Sequence, residues 1–153
     1  MDTTALTKAA ICEYSLQVPI NRPADAVWEM LSSNIDDWWM NDFRALGQDS
    51  RVALDTGPGG ALIETTQTGA SLEWYRVQMC VPGESLHLVG YLAPDWGGPT
   101  TSMLKLALAA QGQSCILTVS DALLGNVTDS SANTAKEGWA KLFTEGLKKY
   151  AES

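Results

Sequence analysis

Short segments in which apolar and polar residues alternate fill most of residues 50–123, and turns rich in glycine or proline join them. An alternation with a period of two is typical of a half-buried β-strand. Short turns connect antiparallel neighbours, because a parallel connection needs a crossover of a dozen or more residues. The pattern therefore predicts an antiparallel sheet with strands at 50–54, 61–67, 71–81, 85–91, 100–111 and 113–123.

A further strand and a short helix are expected before this run of strands. Residues 10–19 alternate and predict a strand that ends at Pro19. Asn21 or Arg22 can then cap a helix, since Pro23 suits the first helical position. A second helical turn is predicted around the tandem tryptophans that follow, with the chain leading on to a phenylalanine at position 43.

The end of the chain predicts one long amphipathic helix over about residues 129–151. Trp139 and Phe143 recur at helical spacing on its apolar stripe. Gly138 and Gly146 lie inside the helix, where each costs about 1 kcal/mol relative to alanine. We therefore expect a packing reason for both glycines, and we expect the apolar stripe to cover one face of the sheet.

These elements predict an α+β fold in a single domain. The chain has 153 residues, which suits one domain, and we place it at residues 1–153 with a core at about 10–152. No internal repeat or linker divides it.

Several segments resemble the START-related superfamily, also called SRPBCC. They are VPINRPADAVWEML at 18–31, IDDWW at 35–39, GG at 59–60, VPGESLHLVG at 81–90 and GWAKLFTEGLKKYAE at 138–152. This superfamily includes the birch-pollen allergen proteins, polyketide cyclases and homologues of the heat-shock chaperone ATPase activator, and the chain is most similar to the last branch. The resemblance implies a helix-grip fold, in which a curved antiparallel sheet of six or seven strands surrounds a long C-terminal helix. It also implies a cavity between sheet and helix that binds an apolar or amphipathic small molecule.

The candidate ligand-binding residues are the large apolar side chains expected to face this cavity. Trp38 and Trp39 are about 100° apart on a helix, so we expect one to cover the cavity mouth and the other to pack in the core. Trp96 lies in a loop bounded by glycine and proline and is either a second lip of the cavity or a loop anchor. For each candidate the alternative is ordinary core packing. The full set is Trp38, Trp39, Phe43, Tyr75, Val77, Met79, Leu88, Trp96, Leu104, Leu106, Leu117, Val119, Trp139 and Phe143.

Three ionisable residues are candidates for catalysis. Asp121 falls on the apolar face of its strand, where a carboxylate needs a partner or a raised pKa. Glu73 shares the parity of Tyr75, and Glu64 lies on the neighbouring strand, so a Glu–Tyr pair could act as general acid and base. His87 is expected to face outward, and no complete catalytic constellation is evident.

The charge and cysteine content narrow the function classes. Ten Lys and Arg against eighteen Asp and Glu give a net charge of −8, which disfavours nucleic-acid and anionic-membrane binding. Residues 1–10 lack the apolar core of a signal peptide, so we expect a cytoplasmic protein. Cys12, Cys80 and Cys115 are expected to be small core residues, with no metal and no cofactor.

Three functions remain open from the sequence. The first is a binding module for a small apolar molecule, favoured by the resemblance and by six tryptophans. The second is an enzyme of the cyclase or lyase kind that uses the same cavity. The third is an interaction module such as a co-chaperone or stress-response accessory. The protein is expected to be a monomer or a homodimer.

Overall fold

A single curved antiparallel sheet of seven strands forms the body of the protein in the computed structural model, which describes residues 4–153. Residues 1–3 of the predicted domain lie outside the described part. The strand order is β1-β7-β6-β5-β4-β3-β2, so consecutive strands from β2 to β7 are neighbours and β1 pairs with the last strand. The strands are β1 (Ala10–Ile20), β2 (Arg51–Leu54), β3 (Ala61–Thr65), β4 (Ser71–Val81), β5 (Ser85–Leu92), β6 (Thr100–Gln111) and β7 (Ser114–Gly125). The predicted antiparallel α+β fold is confirmed.

The first strand does not end at Pro19 as predicted but continues to Ile20, and Pro19 pairs with Ile116. Proline interrupts a central strand because it lacks an N–H donor. β1 is an edge strand and has a hydrogen-bonding neighbour on one side only. A residue without an N–H donor is therefore tolerated there.

Two short helices follow β1, α1 (Ala24–Ser32) and α2 (Ile35–Trp38), as predicted. The N-cap of α1 is Pro23 rather than Asn21 or Arg22. Those two residues have another role. The backbone N–H of Asn21 donates to the Glu152 carboxylate at 2.8 Å, and the Arg22 guanidinium donates to a C-terminal backbone carbonyl at 3.0 Å. They tie the end of the chain to the start of α1.

The C-terminal helix runs without a break over residues 129–152, in agreement with the predicted helix. It consists of α3 (Asp129–Lys141), a π-helical segment (Leu142–Lys148) and α4 (Lys149–Glu152). Thr128 and Ser131 cap its N-terminus, because the backbone N–H of each residue donates to the side-chain hydroxyl of the other. The π-helical segment carries the buried side chains that pack deepest against the sheet. Such π turns are rare and are frequent at functional sites.

Strand β4 carries two irregularities that change which side chains face the helix. Its register with β3 shifts beside Trp74, and its register with β5 shifts beside Gln78. Each bulge adds one residue and reverses the alternation beyond it. Trp74 and Tyr75 therefore both face inward, whereas Met79 is 48% exposed. The prediction that Met79 lines the cavity is wrong, because strict alternation was assumed across a bulge.

Substitution of the two helical glycines by alanine should change the stability of the protein in opposite directions. A Cβ at Gly146 would lie 2.8 Å from the backbone oxygen of Trp38, whereas a Cβ at Gly138 would lie 3.8 Å from the Phe43 ring. We expect Gly146→Ala to lower the free energy of unfolding by about 1–3 kcal/mol through overpacking. Gly138→Ala should raise it by about 0.5–1 kcal/mol through helix propensity. Urea denaturation of both variants checks this, and equal effects would contradict it.

Candidate functional site

A cavity of about 230 Å³ lies between the sheet and the first half of the C-terminal helix. It exists because small residues face each other there. Gly90 and Ser102 occupy adjacent strands, and Ala135 and Gly138 occupy the helix. At the other end of the sheet the inward positions carry leucines and valines, which fill the space and leave a gap of only about 20 Å³. The space between the sheet and the C-terminal helix is therefore open at one end and filled by side chains at the other.

The cavity wall is mainly aromatic. Trp39 and Phe43 come from the segment that includes α2 and a 3₁₀ turn (Asn41–Phe43), and Trp96 comes from a second 3₁₀ turn (Pro94–Trp96). Trp96 is 52% exposed, so it stands at the cavity edge. The Tyr75 and Trp139 ring centroids are 6.0 Å apart. The seven aromatic lining residues are Trp39, Phe43, Trp74, Tyr75, Tyr91, Trp96 and Trp139.

Gly90 is required for this arrangement. A Cβ at this position would lie 2.8 Å from the Tyr75 ring and 2.6 Å from the backbone oxygen of Trp74. No real Cβ contact is that short, so only glycine lets the Tyr75 ring lie across β5.

The polar end of the cavity is a buried chain of hydroxyl groups that ends on Asp121, which is 4% exposed. Ser102 donates to Asp121 Oδ1 at 2.7 Å, and Tyr14 donates to Asp121 Oδ2 at 2.7 Å. Tyr75 Oη lies 2.7 Å from Ser102 Oγ. Because the single hydroxyl proton of Ser102 goes to Asp121, Tyr75 must be the donor to Ser102. All these donors are uncharged.

Burial raises the pKa of Asp121 above its usual range, although the hydrogen bonds from Tyr14 and Ser102 act in the opposite direction. Burial likewise raises the pKa of Tyr14 and of Tyr75, and the nearby Asp121 adds to both. The two phenols therefore stay protonated, and they remain donors in the hydrogen-bonded network around Asp121.

Glu64 is fully buried but does not face the cavity as a partner of Tyr75. Its carboxylate accepts four hydrogen bonds, two of which come from the backbone N–H groups of Ala45 and Leu46 at 3.1 and 2.8 Å. The others come from Ser50 Oγ at 2.7 Å and from the Trp74 indole at 3.0 Å. Burial acts to raise the pKa of Glu64, but these hydrogen bonds outweigh it and the pKa is lowered. Glu64 thus fastens the loop before β2 and one cavity wall.

Arg44 holds the neighbouring segment that carries Trp39. Its guanidinium lies 2.8 Å from Asp36 Oδ1 and also donates to the backbone oxygens of Ser50, at 2.8 Å, and of Trp39, at 3.1 Å. The pKa of Asp36 is lowered, since hydrogen bonds from Val52 and Arg44 outweigh its partial burial. No local sequence pattern indicated either Glu64 or Arg44 as an anchor.

The predicted ligand-binding residues divide into three groups. Five line the main cavity: Trp39, Phe43, Tyr75, Trp96 and Trp139. Trp38, Leu88, Leu104, Leu106 and Phe143 surround only the small gap. Leu117 and Val119 are fully buried core residues, Val77 packs against the core, and Met79 is outside.

The tandem tryptophans are both 4% exposed. α2 ends at Trp38, and Trp39 has an extended backbone. The helical angle used in the prediction therefore does not apply between them. Trp39 lines the main cavity and Trp38 packs beside it, with ring centroids 6.0 Å apart.

Of the catalytic candidates, Asp121 and Tyr75 are joined through Ser102, but Glu73 is not part of this network. Glu73 reaches the cavity lining only as an exposed residue and pairs with Arg76. The predicted Glu–Tyr pair is wrong, because the bulge at Trp74 turns Glu73 away from Tyr75.

Several lining residues were missed by sequence reasoning. Ser102 shares the parity of Leu104 and could have been found by extending the alternation of β6. Gly138 was expected to have a packing reason, but a Cβ there would meet no close neighbour and the residue lines the cavity instead. The inward direction of Trp74 could not be predicted from strand alternation, because the bulge changes the alternation of β4 at that residue. The missed lining residues are Leu72, Trp74, Gly90, Tyr91, Leu92, Ser102, Leu123, Ala135, Gly138 and Leu142.

Comparison of the sequence with protein-family models and with curated proteins gave no match. Solved structures do match. DynU16, a protein from the dynemicin biosynthetic locus, superposes with a TM-score of 0.69 at 18% identity, covering 92% of this chain and 47% of that one. This chain thus spans about half the length of DynU16. CalU16 from Micromonospora echinospora gives a TM-score of 0.60 at 18% identity, with 92% and 83% covered.

Ara h 8.0201 gives a TM-score of 0.66 at 10% identity, covering 93% of this chain and 98% of that one. The chain adopts the helix-grip fold. At these identities the likeness concerns the fold alone, so the chemistry of the site depends on this chain's own residues.

Within residues 4–153, no helix is long and apolar enough to cross a membrane. The same range holds no group of three or more His, Cys, Asp or Glu side chains arranged to bind a metal ion. Cys115 is buried, whereas Cys12 and Cys80 are only partly buried.

Proposed function

We propose that this protein binds a small apolar molecule of one or two rings in the main cavity. The observation that carries the proposal is a hollow of about 230 Å³ lined by seven aromatic residues and held open by facing small residues. A dry cavity of about 150 Å³ accommodates benzene, so this one suits a somewhat larger ring system. Ligand pockets in general are apolar with a few placed polar groups, which here are Ser102 and Asp121.

A titration with 1-naphthalenemethanol tests the proposal. Four of the six tryptophans line the cavity, so its occupation should change the intrinsic tryptophan fluorescence in a saturable way. Isothermal titration calorimetry should give a dissociation constant of about 10–100 μM, as expected for a ligand of this size. Absence of saturable binding for this compound and for a panel of other one- and two-ring compounds would contradict the proposal.

The cyclase or lyase alternative is favoured by one observation, the buried Asp121 carboxyl at the cavity end. Perturbed carboxyl groups in clefts are common in active sites. Recovering each bound compound and comparing its mass before and after incubation separates a carrier from an enzyme. Chemical conversion that is lost in Asp121→Asn would establish the enzyme.

The interaction-module alternative, and with it the heat-shock ATPase activator branch of the resemblance, stays a prediction. Its structural counterpart is a pair of exposed apolar side chains on the outer face of the sheet, Ile11 and Leu124, which the strand register places side by side.

A further inference from the structure

The hydroxyl and carboxyl groups at the polar end of the cavity offer a ligand hydrogen-bond acceptors rather than donors. Ser102 gives its only hydroxyl proton to Asp121, and Tyr75 gives its own to Ser102. The indole N–H groups of Trp39 and Trp74 are also engaged, by the Phe43 carbonyl and by Glu64. Of these groups, the carboxylate of Asp121 and the lone pairs of the Tyr75 oxygen remain available to a ligand.

The Asp121 carboxyl at this end has no cationic partner among the residues that the structure describes. Among residues 4–153 no Lys, Arg or His nitrogen forms an ion pair with Asp121, and none of these residue types lines the cavity. The second acidic residue of the lining, Glu73, already pairs with Arg76. A buried carboxylate held only by neutral donors is costly unless a charge of opposite sign reaches it.

Aromatic rings stand beside this carboxylate. Tyr75 and Trp139 belong to the cavity wall together with Asp121, and their ring centroids are 6.0 Å apart. Aromatic faces attract a cation that lies within about 6 Å of the ring centroid. A carboxylate beside aromatic faces is the arrangement that recognises an organic ammonium group.

We propose that the physiological ligand is an aromatic or alicyclic amine, whose protonated nitrogen binds Asp121 and the Tyr75 oxygen. This inference rests on the proposed function of the cavity and specifies its ligand class. An ammonium group supplies up to three donors and no acceptor, which matches the acceptor oxygens of Asp121 and Tyr75. The fold already bears the cost of burying Asp121, so the incoming cation gains the attraction without desolvating a second protein charge.

Three probes of the same ring system and different charge test the proposal at pH 7, by isothermal titration calorimetry. They are 1-naphthylmethylamine, 1-naphthalenemethanol and 1-naphthoate. We expect the amine to bind at least tenfold more tightly than the alcohol and the carboxylate to bind at least tenfold more weakly than the alcohol. This comparison uses the unmodified protein, so it does not depend on whether a variant folds.

Two variants with the same change in net charge identify the responsible group. Asp121→Asn should weaken amine binding at least tenfold and leave the alcohol within about twofold. Glu84→Gln, at an exposed position outside the cavity lining, should change neither by more than about twofold. Equal or tighter binding of the alcohol to the unmodified protein would overturn the amine proposal and leave the cavity function standing. Equal weakening of amine binding by both variants would likewise overturn the amine proposal and leave the cavity function standing. Failure of all three probes and of the neutral panel would overturn the cavity function itself.

Discussion

Glu64→Ala is expected to lower the free energy of unfolding by about 3–5 kcal/mol. The substitution removes the acceptor of four hydrogen bonds and leaves the N–H groups of Ala45 and Leu46, the buried Ser50 hydroxyl and the Trp74 indole without this partner. Each unsatisfied buried donor costs about 1 kcal/mol or more. The measurement is urea denaturation at pH 7, followed by tryptophan fluorescence.

Glu73→Ala is the control for this prediction. Glu73 lies one strand away, is exposed and pairs only with Arg76, so its loss should cost less than about 1 kcal/mol. If Glu64→Ala is too unstable to purify, Glu64→Gln keeps one acceptor oxygen and should cost about 2 kcal/mol. A loss at position 64 no greater than that at position 73 would show that the buried carboxylate is not an anchor.

The contribution of Glu64 should also depend on pH. Its pKa is lowered in the folded protein, so the folded state holds fewer protons than the unfolded state when the pH lies between the two pKa values. The stabilisation is therefore present above the ordinary glutamate pKa of about 4.3 and is lost as the pH falls through the folded-state pKa. The difference in stability between the unmodified protein and Glu64→Ala should narrow below about pH 4.

Gly138→Leu is expected to abolish measurable binding of two-ring ligands while the protein stays folded. Gly138 lines the cavity, and its position leaves room for a Cβ, so a leucine side chain would extend into the hollow. Four added carbons displace about four carbons of ligand contact, worth about 3 kcal/mol or roughly 100-fold in affinity. The substitution also removes a helical glycine, so thermal stability should stay the same or rise.

Gly138→Ala provides the matched control, because it changes helix propensity in the same direction but adds only one carbon. It should keep ligand affinity within about threefold by calorimetry. Undiminished binding to Gly138→Leu would place the ligand elsewhere on the protein. Loss of binding in both variants would show that the helix, rather than cavity volume, is responsible.

The sequence contained enough information for the order and type of the elements. The alternation in β6 and β7, the short turns and the long apolar stripe of the C-terminal helix are local patterns, and each matches the structure. The pairing of Asp121 with Ser102 and Tyr14 was beyond such patterns, because Tyr14 lies 107 residues away along the chain. Only the parity of Asp121 indicated that it would be buried.

Strand alternation and helical periodicity were readable from the residues alone, because they reflect each residue's own preference for water or for the interior. The location of the hollow depended on tertiary structure, since Gly90, Ser102 and Gly138 leave space only where strand register brings them opposite one another. The bulges of β4, which turn Trp74 and Tyr75 inward and Met79 outward, likewise depend on pairing with two neighbouring strands. A local period cannot encode an offset that arises between distant segments.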